Sequence, residues 1–197
     1  QLCTAIERVY AQQSIYPQFI EMLKDEMAKV RFGDRARTPH YMGPLVNENA
    51  RLNIHQMVER AIDDGATLVT GGYIPEGTGY FYPPTLLINC RQDMEIVQQE
   101  IFGPVLSVQV FDSEEDAVRL ANGTEFGLVA GVYTRDVGRA MRMASALDCG
   151  QVTINDYWAG GIELPFGGNG KSGYGREKGW EGLDAYTKVK SITLSNT

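Results

Sequence analysis

The stretch from Val105 to Asn155 constrains the fold most, because apolar strand segments alternate there with amphipathic helical segments. The predicted strands are Val105–Phe111, Val129–Tyr133 and Gln151–Asn155, and the predicted helices are Ser113–Ala121 and Val137–Leu147. This β-α-β-α-β order indicates an α/β fold, in which parallel strands are joined by right-handed crossovers and covered by helices. Functional groups of such sheets gather at the carboxyl ends of the strands, where Asn155 is expected.

The residues before Val105 add further elements of both kinds. Apolar residues recur every three or four positions from Tyr16 to Val30, which predicts an amphipathic helix. Asn47 is a good N-cap for a second helix that Gly65 closes. Tyr80–Ile88 is an extended segment whose two adjacent prolines suit the start or edge of a strand.

The last residues have a strand pattern of their own. Tyr186–Leu194 is a predicted final strand in which Lys188 and Lys190 flank Val189. Exposed lysines protect an edge strand, and the alternative is pairing with another subunit. We therefore expect residues 1–184 to form the main domain and residues 185–197 to form an oligomerisation strand.

Composition and charge exclude several classes of partner. The 197 residues, 43% apolar and 22% charged, are enough for one core without disulfides. The net charge of −7 and the lack of a basic run argue against nucleic acid and anionic membranes as partners. Three widely spaced cysteines favour a reducing compartment, which predicts a cytoplasmic location. No segment has the length and apolarity of a membrane span, and no metal site is assigned.

Cys3 is the first candidate functional residue. A free cysteine is usually a small buried hydrophobe, so Cys3 alone carries little weight. A reactive cysteine must be reachable by substrate and have its thiolate favoured by neighbouring groups. The opening residues Gln1-Leu2-Cys3, with no methionine before them, lead us to expect the C-terminal part of a longer protein.

The glycine-rich stretch Gly160–Gly179 imitates two nucleotide-binding motifs. Gly168–Gly173 matches G-x-G-x-x-G by letter, but no apolar strand leads into it and no amphipathic helix follows. A P-loop would need glycine at Pro165, which has no N–H to offer a phosphate. The favoured interpretation is a loop whose backbone passes close to another surface or adopts positive φ.

The turn from Gln98 to Pro104 is the third informative stretch. It places Glu100 and Phe102 two residues apart just before a strand. A carboxylate beside an aromatic ring suits a ribose and a flat ring, because the acid accepts from vicinal hydroxyls and the ring stacks. The alternative is a plain helix-to-strand turn with a solvated glutamate.

Taken together, these motifs resemble the NAD(P)-dependent aldehyde dehydrogenase superfamily over the whole chain. The matching segments are Gln-x-Cys-x-Ala-x-x-Arg at 1–8, Gly43-Pro44-Leu45, Tyr80-Phe81 with Pro84-Thr85, Glu100-x-Phe102-Gly103-Pro104, Asn122 with Phe126-Gly127-Leu128, Gly150-x-Val152 with Asn155, and Pro165-Phe166-Gly167-Gly168 through Ser172-Gly173-x-Gly175-Arg176-Glu177. The resemblance implies a three-layer α/β fold, with an open, mostly parallel twisted sheet and helices on both faces.

The resemblance also implies a role for each candidate residue. Cys3 is the nucleophile, Glu100 binds the nicotinamide ribose of NAD or NADP, and Phe102 packs beside the nicotinamide. Phe166 is implied as an aromatic wall of the substrate tunnel, and Trp158 lies in the variable loop that shapes it. The reaction implied is oxidation of a small-molecule aldehyde to a carboxylic acid through a thioester on Cys3, in a homo-oligomer.

The chain departs from the family pattern because it begins at the nucleophile. In the family the Rossmann cofactor domain, the general-base glutamate and the side-chain amide of the oxyanion hole precede that cysteine. We therefore expect the 197 residues by themselves to lack turnover and to bind cofactor weakly. The identity of the aldehyde and the choice between NAD and NADP stay open.

Two other classes of function remain as alternatives. A cysteine hydrolase would need a histidine beside Cys3, and the chain contains only His40 and His55. A non-catalytic oligomerisation module is the second alternative, given the predicted terminal strand.

Overall fold

The computed structural model describes residues 1–33, 41–157 and 160–196, and the chain divides into two compact units. The first unit, Gln1–Thr124, contains β1 (Arg8–Gln12), α1 (Tyr16–Lys29), β2 (Arg31–Phe32), β3 (Tyr41–Met42), α2 (Glu48–Asp63), β4 (Thr67–Thr70), β5 (Thr85–Ile88), α3 (Glu95–Gln98), β6 (Val105–Phe111) and α4 (Glu114–Ala121). The second unit, Glu125–Thr197, contains β7 (Phe126–Gly127), β8 (Val129–Val132), α5 (Val137–Ala146), β9 (Gln151–Ile154), β10 (Asn169–Gly170) and α6 (Glu181–Asp184).

A four-stranded sheet in the order β1-β6-β5-β4 organises the first unit. The pairs β1–β6 and β6–β5 are parallel, whereas β5–β4 is antiparallel. In the β1–β6 register Arg8 faces Ser107, so the segments that lead into these two strands lie side by side. The chain therefore has a mixed α/β fold with a sheet dominated by parallel pairs, as predicted.

Two apolar clusters cover the sheet of the first unit. Helix α1 contributes Ile20 to a cluster with Leu86 and Val108, whereas α2 contributes Ile54 to a cluster with Leu87. Side chains alternate between the faces of a strand, so the neighbours Leu86 and Leu87 place the clusters on opposite faces. The sequence periodicity of both helices thus matches the faces that they bury.

Local capping explains where the helices begin and end. The Asn47 side chain accepts from Ala50 N–H at 2.8 Å, and Ser113 Oγ accepts from Asp116 N–H at 3.1 Å. Gly65 follows α2 with φ +103, a left-handed conformation that glycine adopts without strain. The predicted N-cap at Asn47 and helix stop at Gly65 are confirmed.

The predicted β-α-β-α-β order is formed, but its strands do not share one described sheet. Strand β6 pairs with β1 and β5, whereas β8 and β9 form a separate two-stranded parallel sheet connected through α5. The register of β8 and β9 pairs Val129 with Gln151 and Val132 with Ile154. Periodicity located each strand correctly because it reports local burial, but it carries no information about which strands pair.

The glycine-rich stretch forms a tightly packed loop within the second unit. Strand β10 pairs antiparallel with β7, and Phe166 and Glu177 exchange two backbone hydrogen bonds of 2.7 Å each. A Cβ at Gly167 would lie only 2.5 Å from the Gly175 carbonyl oxygen. This geometry differs from the strand-loop-helix unit of a phosphate-binding loop and fits the predicted close backbone approach.

The predicted final strand, Tyr186–Leu194, is not formed within the chain. Residues 185–196 carry no strand, and Val189, Ile192 and Leu194 are exposed. The predicted final strand is therefore not confirmed within the described residues, and its pairing with another subunit stays a prediction. Within the described residues, no helix has the length and apolarity needed to cross a membrane.

Candidate active site

Cys3 lies in a tight turn just before β1. Ala5 N–H donates to the Leu2 carbonyl oxygen at 2.8 Å, which closes the turn around Cys3. Cys3 is exposed, whereas Cys90 is buried and Cys149 is half-buried. Burial raises the pKa of the Cys90 thiol to about 11 and also raises the pKa of Cys149. Because a nucleophilic sulfur must meet its substrate as a thiolate, Cys3 is the cysteine of the three that suits this role.

Two hydrogen bonds hold neighbouring motifs against the Cys3 turn. Val46 N–H donates to Gln1 Oε1 at 2.8 Å, and Leu45 N–H donates to the Tyr80 carbonyl oxygen at 2.9 Å. Leu45 is buried in the cluster beneath α2. The Gly43-Pro44-Leu45 segment and the Tyr80-Phe81 pair, distant in sequence, are therefore joined to the segment that carries the cysteine.

Glu7 connects the end of this segment to the loop that precedes β6. Ile101 N–H donates to Glu7 Oε2 at 2.9 Å, and Phe102 N–H donates to Glu7 Oε1 at 2.7 Å. The Glu7 backbone is also fixed, because Ser107 N–H donates to its carbonyl oxygen at 2.9 Å. Glu7 thus binds the loop with its side chain and β6 with its main chain.

The loop held by Glu7 carries both predicted cofactor-binding residues. Glu100 is exposed, and Phe102 has 40% of its surface exposed. Phe102 has φ +53, a left-handed conformation that costs a non-glycine residue about 1–2 kcal/mol. The loop is tied to the sheet by Thr85 N–H, which donates to the Pro104 carbonyl oxygen at 2.8 Å. The structure therefore presents a carboxylate and an aromatic ring to solvent from a backbone fixed on both sides.

The Glu7 carboxyl is electrostatically unusual. Burial raises the pKa of Glu7, and the negative charge of Glu100 raises it further. The two backbone hydrogen bonds and Arg8 act in the opposite direction but do not outweigh burial. A half-buried carboxylate with a raised pKa retains its place because both of its oxygens have strong donors.

These candidate residues lie at the amino ends of parallel strands, contrary to the expectation from α/β sheets. Cys3 and Glu7 precede β1, and Glu100 and Phe102 precede β6. Backbone N–H groups ahead of β6 have no partner in its ladder, and here the Glu7 carboxylate satisfies them. Cys3, Glu100 and Phe102, whose roles stay predictions, thus do not follow the expectation of functional groups at the carboxyl ends of the strands.

The carboxyl ends of β8 and β9 do form a groove, of about 550 Å³, in the second unit. Asn155 closes one side, with its side-chain oxygen accepting from Thr134 N–H and its amide donating to the Thr134 carbonyl oxygen, both at 2.9 Å. Tyr133 and Met141 give the groove apolar walls. No candidate nucleophile or acid from the sequence lies among its lining residues.

The two predicted substrate-pocket residues differ in what the structure describes. Phe166 is half-buried in the second unit, with Lys178 Nζ 5.3 Å from the centre of its ring. Its backbone is fixed by the bridge to Glu177. Trp158 lies outside the described residues. The role of both residues in a substrate pocket stays a prediction.

The histidine required by a cysteine hydrolase is engaged elsewhere. His55 Nδ1 lies 3.1 Å from Tyr82 Oη, and His55 Nε2 lies 3.6 Å from Glu59 Oε1. Both ring nitrogens therefore face groups other than the Cys3 sulfur. His40 lies outside the described residues, so the structure offers no support for this alternative.

Glu7 is the residue of the candidate site that sequence reasoning missed. It occupies an unspecified position in the Gln-x-Cys-x-Ala-x-x-Arg motif, so the motif gave no reason to select it. Its partners lie 94 and 95 residues away, and only the parallel pairing of β1 with β6 brings them together. A glutamate immediately before an apolar strand was the one available hint.

Comparisons with known proteins place this geometry in context. The model of the aldehyde dehydrogenase family matches residues 1–192. Betaine aldehyde dehydrogenase of Bacillus subtilis (strain 168) is 40% identical over 196 residues, and lactaldehyde dehydrogenase of Escherichia coli (strain K12) is 41% identical over 197 residues. These alignments cover 98% and 100% of this chain, but only 40% and 41% of the relatives.

Solved structures agree with the sequence comparisons. The crystal structure of lactaldehyde dehydrogenase from Escherichia coli matches with a TM-score of 0.93 and 39% identity, over 98% of this chain and 41% of that one. Betaine aldehyde dehydrogenase from Staphylococcus aureus in complex with NAD⁺ matches with a TM-score of 0.89 and 38% identity, over 94% of this chain and 38% of that one. The chain thus spans about two fifths of the length of these proteins.

Proposed function

Because the chain belongs to the aldehyde dehydrogenase family, we propose that it carries the nucleophile and part of the cofactor site of an NAD(P)-dependent enzyme that oxidises aldehydes to carboxylic acids. The observation that carries this proposal is the pair of contacts through Glu7. They attach the loop of Glu100 and Phe102 to the segment that follows the exposed Cys3. The proposed nucleophile and the two proposed cofactor-binding groups therefore belong to the same unit and are linked through Glu7.

The residues present fit a nicotinamide cofactor. The exposed Glu100 carboxylate is able to accept hydrogen bonds from vicinal ribose hydroxyls, and the partly exposed Phe102 ring offers an apolar face to a flat ring. When bound, the cofactor supplies the acceptor for a hydride. The solved relative from Staphylococcus aureus in complex with NAD⁺ supports this assignment.

The chemistry proposed for Cys3 proceeds in two stages. Its thiolate adds to the carbonyl carbon of the aldehyde, forming a carbon–sulfur bond and a tetrahedral oxyanion. The oxyanion re-forms the carbonyl as the carbon loses its hydrogen with both bonding electrons, which leaves a thioester on Cys3. Water then attacks the thioester, releasing the carboxylic acid and regenerating the thiol. Covalent attachment makes loss of the hydride an intramolecular event.

We propose a small aldehyde as the substrate class. The relatives include dehydrogenases of betaine aldehyde, 4-trimethylaminobutyraldehyde and lactaldehyde. A substrate tunnel walled by Phe166 and shaped by Trp158 is part of this proposal. Three free cysteines fit a reducing compartment, so a cytoplasmic location is proposed as well.

The proposed architecture is the family's three-layer sheet, with residues 185–197 serving in assembly. Tyr186, Val189, Ile192 and Leu194 are between 82% and 103% exposed. Such an apolar edge in an unpaired segment supports pairing with a second copy of the chain, as a homo-oligomer. Light scattering before and after removal of residues 186–197 tests this contact, and an unchanged mass would refute it.

The test of the proposed activity is aldehyde-dependent formation of NADH or NADPH by the complete protein, followed by absorbance. The Cys3→Ala variant is expected to lose at least about 1,000-fold in rate, because the covalent stage disappears. The matched control is Cys149→Ser, which keeps a donor for the Gln151 carbonyl oxygen and is expected to retain activity. Full activity in Cys3→Ala would refute the proposal. The 197 residues by themselves are expected to give no turnover.

A further inference from the structure

The Glu7 side chain performs a task that the chemistry of Cys3 does not require. We infer that Glu7 is a positioning residue, which holds the backbone of the loop from Glu100 to Phe102 in the conformation that presents both side chains to the cofactor. This inference rests on the proposed cofactor role of Glu100 and Phe102. It concerns the loop's conformation and assigns Glu7 no contact with substrate.

The loop needs an external acceptor to keep its conformation. The N–H groups of Ile101 and Phe102 lie ahead of β6 and have no partner in its ladder, so an unsatisfied pair would favour a rearranged loop. Glu7 supplies one carboxylate oxygen to each, at 2.9 and 2.7 Å. Charge-assisted bonds of this kind are stronger than bonds between neutral groups. They act directly at Phe102, whose left-handed backbone is otherwise disfavoured.

Glu7 is itself held in place by the sheet. Ser107 donates to the Glu7 carbonyl oxygen twice, from its N–H at 2.9 Å and from its Oγ at 3.1 Å. The Glu7 side chain in turn accepts hydrogen bonds from residues just before β6, the strand that contains Ser107. The β1–β6 pair therefore fixes the position of the loop, and it also fixes the segment that follows Cys3.

The charge of the Glu7 carboxylate should make a measurable contribution to cofactor binding. Burial, and to a smaller extent Glu100 on the loop, raise the pKa of Glu7, whereas the two backbone hydrogen bonds and Arg8 on β1 lower it. The Arg8 guanidinium also donates to Thr124 Oγ1 at 2.8 Å. The apparent affinity for a ligand falls in proportion to the fraction of protein that is competent to bind it. Loss of the carboxylate should therefore weaken cofactor binding without abolishing it.

The experiment compares Glu7→Gln with a matched control in the complete protein, using NAD⁺ as the probe. Asp116→Asn is the control, because Asp116 also accepts from a backbone N–H, that of Asp112, away from the site. We expect Glu7→Gln to raise the Kd for NAD⁺ about 10- to 100-fold, the effect of losing one charge-assisted hydrogen bond, and the control to change it less than about twofold. Hydrogen exchange at the Ile101 and Phe102 amides should accelerate in Glu7→Gln only. Alkylation of Cys3 should keep its rate in both variants.

Other outcomes distinguish a failure of the inference about Glu7 from a failure of the proposed function. Unchanged NAD⁺ affinity together with unchanged exchange at both amides in Glu7→Gln would overturn the inference, as would equal effects in the control. If wild-type protein binds neither NAD⁺ nor NADP⁺, the proposed function fails, and amide exchange still decides whether Glu7 holds the loop.

A second design covers the case in which Glu7→Gln does not fold. The amide resonances of Ile101 and Phe102 in the wild type, and in Glu100→Gln to remove the neighbouring acid, are followed against pH. Both amides should titrate together as Glu7 ionises, with an apparent pKa above the ordinary value of a glutamate in the wild type. Amides that do not respond to pH as a glutamate ionises would overturn the inference.

Discussion

A Cβ at Gly103 would collide with helix α2, so the Gly103→Ala variant is predicted to have a lower free energy of unfolding. The added atom would lie 2.5 Å from Ile54 Cδ1, 3.1 Å from Cγ1 and 3.3 Å from Cγ2. Ile54 is only 2% exposed and is packed in the cluster beneath α2, so any shift of its side chain must be accommodated by buried neighbours. The backbone imposes no extra strain, because alanine before Pro104 readily adopts an extended conformation.

The cost of this collision follows from its size. Overpacking a core typically costs about 1–3 kcal/mol. Replacing glycine with alanine stabilises the folded state by about 0.4–1 kcal/mol, because it reduces the conformational entropy of the unfolded chain. Gly103→Ala should therefore lower the free energy of unfolding by about 1.3 kcal/mol at the middle of these ranges, and by about 2.6 kcal/mol at most. Because the same backbone carries Glu100 and Phe102, NAD⁺ binding should weaken in the same variant.

A double-mutant cycle identifies Ile54 as the cause. Ile54→Val removes Cδ1, the nearest atom, at a cost of about 0.5–1.5 kcal/mol by itself. In that background Gly103→Ala should cost less than about 0.5 kcal/mol, which gives a favourable coupling of about 1 kcal/mol. Urea unfolding followed by circular dichroism measures all four proteins. Gly43→Ala is the control, since its Cβ would meet nothing closer than 3.9 Å. Costs that add to within about 0.5 kcal/mol would refute the collision.

Three further predictions concern reactivity, pH dependence and packing. Iodoacetamide should alkylate Cys3 in the native protein and Cys90 only after unfolding, as read from peptide masses; equal rates would contradict their difference in exposure. Because burial raises the folded-state pKa of Glu7 above its unfolded value, the stability it contributes is present below about pH 4.5 and is lost as pH rises through the folded pKa. The free energy of unfolding of the wild type minus that of Glu7→Gln should thus fall from acid to neutral pH. A rise would mean that folding lowers the pKa of Glu7, which would contradict the prediction. Gly150→Ala should cost more than about 3 kcal/mol, or prevent folding, because its Cβ would lie 1.5 Å from the Gly167 carbonyl oxygen; thermal melting near that of wild type would contradict this packing.

Local elements of this fold were predictable from sequence because their causes are local. The apolar period from Tyr16, the N-cap at Asn47 and the strand before Phe111 each reflect burial or hydrogen bonding within a few residues. The pairing of β1 with β6 depends on residues about 100 positions apart, which periodicity does not report. The same limit explains why β6 was grouped with β8 and β9.

Some residues of the candidate site were predictable from sequence motifs, whereas others depend on contacts between distant residues. Cys3, Glu100 and Phe102 came from motifs, and the structure places them before two adjacent parallel strands. Glu7 was missed, because its importance arises from two backbone N–H groups that a sequence does not display. The segment Tyr186–Leu194 has the alternation of a strand but no strand partner among the described residues, so its pairing with a second copy of the chain stays a proposal.

The most direct test of the central claim is the mass of the peptide that carries Cys3 after reaction. The complete protein is mixed with an aldehyde and NAD⁺, quenched in acid within the first turnovers, digested and analysed by mass spectrometry. The account predicts that this peptide gains the mass of the acyl group, in an adduct that hydroxylamine removes. An active enzyme that forms its acyl adduct on another residue, or that forms none while Cys3→Ala stays active, would contradict it.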